Sequence, residues 1–172
     1  MQTLASKRLV LRMFRESDLD EYAEMCADPE VMRYIGDGHC FSRPEAWRNM
    51  AMIIGHWQLR GFGLWAVEEK RTEALLGRVG CWQPEGWPGF EIGWALRRQF
   101  WKQGYATEAA LQVVDYAFNR LGQERVISLI QPENSQSVAV ALRLGMKFDG
   151  YTELLEQPVL VYALDRKRAS RP

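Results

Sequence analysis

Hydrophobic and polar positions change period several times along this chain, and each change predicts an element. Over residues 8–14, Leu9 and Leu11 alternate with Arg8, Val10 and Arg12, the pattern of a strand. Ser17 or Asp18 then opens a short helix with Leu19, Tyr22, Ala23 and Cys26 on one face, and Asp28-Pro29 ends it. Ser42-Arg43-Pro44-Glu45 has capping-box spacing and starts a second helix. Its apolar stripe reads Trp47, Met50, Ala51, Ile54 and Trp57, and it stops before Gly61. The period then falls to two: residues 64–68, 75–82 and 90–96 read as strands separated by a charged turn and by a Pro/Gly-rich loop over 83–89.

The most regular helix follows. Ala106, Ala109, Ala110, Val113, Val114, Ala117, Phe118 and Leu121 share one stripe, and Gly122 closes it. The unbroken run over 126–130 predicts a central strand buried on both faces. Asn134 or Ser135 caps a last helix over 135–144, with Gly145 suited to its left-handed C-terminal position. Two strands end the pattern, 147–155 and 159–164, split by Pro158, the second expected as an edge open to pairing between subunits. The order β-α-α-β-β-β-α-β-α-β-β predicts an α/β chain of the α+β kind, one mixed sheet with helices on both faces, and disfavours a doubly wound sheet.

Composition narrows this reading. The 172 residues carry 22 Lys+Arg and 22 Asp+Glu, so the formal net charge is zero and nothing marks a polyanion partner; nucleic acid is not expected. No apolar run approaches the roughly 20 residues that cross a bilayer, so no membrane partner is expected either. Three cysteines without C-x-x-C spacing argue against a disulfide scaffold or a metal cluster and fit reduced thiols in a cytoplasmic protein. Residues 1–165 read as one domain and 166–172 as a flexible basic tail. Neither a dinucleotide fingerprint nor a P-loop occurs.

The segment richest in chemistry is F-E-I-G-W-A-L-R-R-Q-F-W-K-Q-G-Y-A-T-E-A, residues 90–109. A strand runs through Arg97, Arg98 and Lys102 to Gly104 and a helix start, where free backbone N–H groups and the helix dipole favour an anion. Gly104 and Ala106 keep side chains clear of an approaching diphosphate; the same residues also suit a plain tight turn.

This segment resembles the cofactor motif of the GNAT superfamily of acetyl-CoA-dependent N-acetyltransferases. Two further stretches match in the family's order: K-R-L-V-L-R-M-F…D-L-D with D-P-E-V-M-R-Y-I near the start, and P-E-N-S-Q-S-V-A-V-A-L-R-L-G-M-K-F over 132–148. The chain is most similar in appearance to the ribosomal-protein N-terminal (alanine/serine) acetyltransferases. The resemblance implies a V-shaped sheet whose strands 90–96 and 126–130 splay apart to admit acetyl-CoA. It implies that the pantetheine arm bonds the backbone of Trp94, Ala95 and Leu96. The diphosphate would rest on the amides of Trp101, Lys102, Gln103, Gly104, Tyr105 and Ala106. Asn134 and Ser137 would lie on the other side of the arm. Two positions depart from the family. Trp101 stands where Gln or Arg is common, and Ala141 stands where many members carry a tyrosine general acid, with Gly145-Met146 in place of a G-F pair. A water or another hydroxyl then protonates the thiolate, or it leaves unaided.

An amine attacking a thioester must first lose a proton. Glu91 is the first candidate base, since alternation puts it beside Gly93 and Ala95, where burial raises a carboxyl pKa; a strand glutamate paired with arginine is the plain alternative. His39, in a Gly-rich loop, and His56, beside Trp57, fit structural positions better, and Glu108 reads as a helix residue near a cap. Tyr34, Phe41, Trp82 and Trp87, on or beside the loops 34–41 and 83–89, are candidate walls for an amine acceptor or simple packing aromatics. These loops carry few acids beyond Asp37 and Glu85, which favours a protein or peptide N-terminus over a polycation. A catalytically silent acyl-CoA binder and a small-molecule acetyltransferase are the alternatives. Monomer and homodimer both fit.

Overall fold

The computed structural model describes residues 2–166. Eight strands form one mixed sheet: β1 (Leu4–Ala5), β2 (Leu9–Arg12), β3 (Leu64–Glu69), β4 (Leu75–Trp82), β5 (Glu91–Leu96), β6 (Arg125–Ile130), β7 (Lys147–Leu154) and β8 (Gln157–Asp165), in the order β1-β2-β3-β4-β5-β6-β8-β7. All neighbours are antiparallel except β5 and β6. Five helices accompany them: α1 (Leu19–Ala27), α2 (Pro29–Met32), α3 (Arg43–Arg60), α4 (Tyr105–Asn119) and α5 (Ser135–Arg143). Short 3₁₀ turns lie at Glu16–Asp18 and Arg98–Phe100. The expected mixed sheet is therefore present.

Sequence period and structure part company at instructive places. β1 and α2 went unforeseen, because two and four residues are too short to show a period. Asp28 does end α1, and its carboxylate also accepts Glu30 N–H to start α2. The capping box of α3 forms through Ser42 and Glu45, but its buried stripe is Ala46, Met50, Ile53 and Trp57. Trp47 is 46% exposed and Ile54 36%. Both stripes have helical spacing and share Met50 and Trp57. The Trp57 indole donating to Leu64 O at 2.9 Å helps fix which one turns inward.

The final hairpin also differs from expectation. Its turn is Leu155-Glu156, both at positive φ (49° and 62°), which the sequence hides by lacking Asn or Gly there. Pro158 lies inside β8, beyond Leu160, where β6 has ended, so the three-stranded part of the ladder loses no donor. β8 is consequently an inner strand, and the open edge is β7. Of the expected tail, Arg166 is held by its N–H on Glu124 O at 2.8 Å; residues 167–172 lie outside the described residues.

The core runs on both sides of the sheet. Trp65, fully buried, meets Trp57 at 4.7 Å and Tyr116 of α4 at 5.1 Å between ring centroids. Each such apolar side chain taken from water contributes about 1.5–3 kcal/mol. Buried Arg12 is matched by Asp18 at 2.8 Å and Glu68 at 2.6 Å, so the charge it brings inside is answered. Cys26 and Cys81 are buried free thiols and Cys40 is half-buried. Among the described residues no helix is long and apolar enough to cross a membrane, and no metal-holding cluster forms.

Candidate active site

β5 and β6 share a single register pair, Glu91 with Ile127, and then part. Phe90 O still accepts Ile127 N–H at 2.9 Å and Ile92 O accepts the Ser128 hydroxyl at 2.7 Å, so the even-numbered backbone groups of β5 face β6. Further along, Leu96 O takes the Trp101 indole N–H at 2.7 Å. Between these points, the N–H and C=O of Trp94 and the N–H of Leu96 face the gap with no protein partner among the described residues. An unpaired stretch of strand inside a molecule suits an extended, amide-bearing ligand. Ala95 turns its backbone toward its register partner Arg78, and offers the gap only a small side chain.

The gap opens into a cleft of about 940 Å³. Trp94, Ala95, Leu96, Trp101, Lys102, Gly104, Tyr105, Ala106, Asn134, Ser137 and Tyr34 line it; Gln103, Phe41, Trp82, Trp87 and Glu91 do not. At its α4 end the backbone of residues 102–107 forms a run of N–H groups without acceptors among the described residues. Lys102 (φ 60°) and Gly104 (φ 81°) are left-handed, a backbone that curls successive amides toward one point. The Trp101 N–H, which the resemblance counts in this run, instead donates to Arg98 O at 3.1 Å. The free run therefore starts one residue later and includes Thr107. Lys7, Arg8, Arg33, Lys102 and Arg143 also line the cleft and give it positive charge.

Glu108 has a larger role than a helix cap. Its carboxylate accepts the Ser6 hydroxyl at 2.7 Å, Arg8 N–H at 2.8 Å and Arg8 Nε at 2.7 Å. Burial works against the charge, but these bonds hold the carboxyl below the ordinary range. Arg8 in turn donates to Gln103 O at 3.1 Å and lies 4.1 Å over the Tyr105 ring, so the first strands brace the amide loop. The Tyr105 hydroxyl is spent on Glu69 at 2.7 Å and the Gln103 side chain on Gln99 O at 2.9 Å. Both residues can offer the cleft only main chain. The Ser6–Arg8–Glu108 cluster spans about a hundred residues of sequence, and no local signal announces it.

Glu91 starts β5 opposite Trp82 of β4, on the strand face it shares with Gly93 and Ala95. Burial pushes its carboxyl up to about 7, against the Trp87 indole, the Leu129 N–H and the charge of Arg78, which all pull it down. A Cβ built on Gly93 would meet nothing nearer than Glu91 Oε1 at 4.0 Å, so the strand surface beside the carboxylate is open. The Trp87 indole donates to Glu91 Oε2 at 2.7 Å, and Leu129 N–H approaches Oε1 at 3.4 Å.

The four aromatics expected along the acceptor side separate. Tyr34 lines the cleft. Trp82 stacks on buried His56 at 4.3 Å, and Phe41 packs on the core with its N–H on Cys26 O, so both have structural duties. Trp87 turns its indole N–H to Glu91. Asn134 caps α5 by accepting Ser137 N–H at 3.1 Å, and the Ser137 hydroxyl accepts the Trp94 indole at 3.2 Å. Ala141 is fully buried and brings no hydroxyl. His56 bonds Phe62 O through Nδ1, and His39 stays at the surface near Glu45, 3.7 Å away.

Known proteins agree with this architecture. The profile of the acetyltransferase (GNAT) domain matches residues 8–147. The uncharacterised protein YkkB of Bacillus subtilis (strain 168) is 32% identical over 167 residues, 92% of this chain and 93% of its own. The crystal structure of an acetyltransferase from Agrobacterium tumefaciens str. C58 superposes with a TM-score of 0.85 at 29% identity, covering 96% of this chain and 95% of that one. A ribosomal L7/L12 alpha-N-protein acetyltransferase, solved in complex with coenzyme A, shares the fold with a TM-score of 0.78 at 19% identity, over 95% of this chain and 98% of that one. With its splayed strands, free amide run and a domain match over most of its length, this chain belongs to the GNAT acetyltransferases.

Proposed function

We propose that the chain transfers the acetyl group of acetyl-CoA to a primary amine, a protein or peptide N-terminus, by direct attack in a ternary complex. One observation supports this reading: Lys102 and Gly104 to Thr107, whose amides find no acceptor among the described residues, line one cleft with Trp94, which lies on the strand that also carries Glu91. The amides and the cleft cations suit a diphosphate, and the Trp94 backbone suits the amides of a pantetheine arm. Acetyl-CoA would supply the acetyl group as an activated thioester.

The chain's own groups have distinct tasks. Glu91, with its carboxyl near 7, accepts a proton from the incoming ammonium and leaves a neutral nucleophile. The free Trp94 N–H is available to the oxyanion that develops at the carbonyl, which leaves the Trp94 C=O and the Leu96 N–H to the pantetheine arm. No tyrosine takes the place of Ala141, and a thiol pKa of about 8.5 lets the thiolate depart without an acid. The loop acids are committed locally, Asp37 to His39 N–H at 3.0 Å and Glu85 to Arg60 at 2.9 Å, so a polycation finds little on these loops and one peptide amine suits the site better.

The test is mass spectrometry of an amine panel incubated with acetyl-CoA: N-terminal peptides, lysine side-chain peptides, aminoglycosides, polyamines and amino acids. Acetylation confined to peptide N-termini is the expected result. Modification of another class alone overturns the acceptor assignment, and binding of acetyl-CoA with no modified amine favours a silent binder.

A further inference from the structure

We propose that Trp87 is a positioning residue for the Glu91 carboxylate: a loop fastened at two points delivers its indole N–H to one carboxylate oxygen and leaves the other for the acceptor amine. The proposal rests on the reading of Glu91 as the base. The 2.7 Å bond from Trp87 Nε1 to Glu91 Oε2 joins residues four apart, across the corner where the loop enters β5. Such an interaction needs the loop to hold one shape, and two fastenings supply it. One is the turn closed by Trp87 N–H on Pro84 O at 3.2 Å; the Arg60–Glu85 pair beside it, 2.9 Å long, is solvent-exposed and adds little. At the other end Gly89 lies against Ile127, the register partner of Glu91, so closely that an added Cβ would come within 2.9 Å of its side chain.

The two oxygens of Glu91 are therefore not equivalent. Oε2 faces a short, charge-assisted indole bond. Among the described residues Oε1 meets only the long 3.4 Å approach of Leu129 N–H, and it lies on the side of the open surface over Gly93. A carboxylate anchored through one oxygen keeps its other lone pairs in a fixed direction, which is what proton transfer from a docked amine requires. The indole fulfils this without adding a second charge next to the base.

The contact can be read without any acceptor. The chain has seven tryptophans, and the indole N–H resonance of Trp87 is identified by its loss in Trp87→Phe. In the full-length wild type that resonance is expected to move with pH through a midpoint near 7, and in Glu91→Gln to stay still while the other indoles keep their positions. A resonance that still titrates in Glu91→Gln, or never titrates in the wild type, overturns the contact.

The catalytic consequence is read from the pH profile with acetyl-CoA and the fastest amine of the panel. Trp87→Phe keeps the ring and removes the donor. The acidic limb should shift upward by about half a unit or more. Turnover below neutrality should fall several-fold and largely recover at high pH, with KM for acetyl-CoA unchanged. An unmoved limb, with Glu91→Gln inactive, refutes positioning by Trp87 and leaves the base in place. Full turnover by Glu91→Gln refutes both.

Discussion

The cleft and the neighbouring start of β5 are built from different materials. The α4 end uses main chain: N–H groups over 102–107 without acceptors among the described residues, curled by left-handed Lys102 and Gly104, with Tyr105 and Gln103 side chains occupied elsewhere. The start of β5, where we propose the base, uses side chains: Glu91, its Trp87 donor and the open surface over Gly93. A main-chain site depends on backbone shape and tolerates most side-chain exchanges that keep that shape. A side-chain site depends on particular atoms. The first kind suits a ligand that never changes, and the second a reaction and an acceptor that must be selected.

The largest expected effect breaks the main-chain side at its shape. Gly104 sits at φ 81°, where a β-branched residue is strained, so Gly104→Val should weaken coenzyme A binding by about a hundredfold or more, read by calorimetry. Binding within a few-fold of wild type would contradict the amide cradle. Next comes Glu91→Gln, which should lower kcat by about 10²–10⁴-fold while leaving the coenzyme A Kd unchanged. Both results together would separate the two regions by their material.

A stability measurement sharpens the same contrast. Glu91 titrates near 7 when folded against an ordinary value of 4.5, so the unfolded chain releases its proton first as pH rises. Its contribution is most favourable below about 4.5 and is lost on the way up through 7. Glu91→Gln should therefore gain on the order of 2 kcal/mol relative to wild type at alkaline pH and little in mild acid, by denaturant melts at both. A pH-independent difference would contradict the buried carboxyl.

The smallest effect belongs to Gln103→Ala. It removes only a side chain bonded to Gln99 O and should change coenzyme A affinity by less than about threefold. A large loss would mean that the α4 end reads side chains after all.

How much of this was visible in the sequence follows the same division. The α4 stripe, Gly104 and the strand leading to it were legible because small and glycine residues mark places where backbone must be approached. The splay of β5 from β6 entered through resemblance, since no local pattern says where two strands part. Trp87 was read as a possible acceptor wall because composition shows an aromatic and not the direction of its N–H. The α3 face was misread since Trp47 and Ile54 fit helical spacing as well as Ala46 and Ile53 do; only packing distinguishes them. Glu108 was read as a cap residue because its partners, Ser6 and Arg8, lie about a hundred residues away. The Leu155-Glu156 turn was hidden by residues that rarely adopt positive φ.

The most direct test of the account is the acetyl-transfer rate of Glu91→Gln at saturating acetyl-CoA, followed across the neutral pH range beside the wild type. The wild-type rate should rise through an ionisation near 7, and the variant should lose that step and nearly all turnover with its KM for acetyl-CoA intact. A variant that keeps the wild-type rate and the same ionisation would show that Glu91 is not the base.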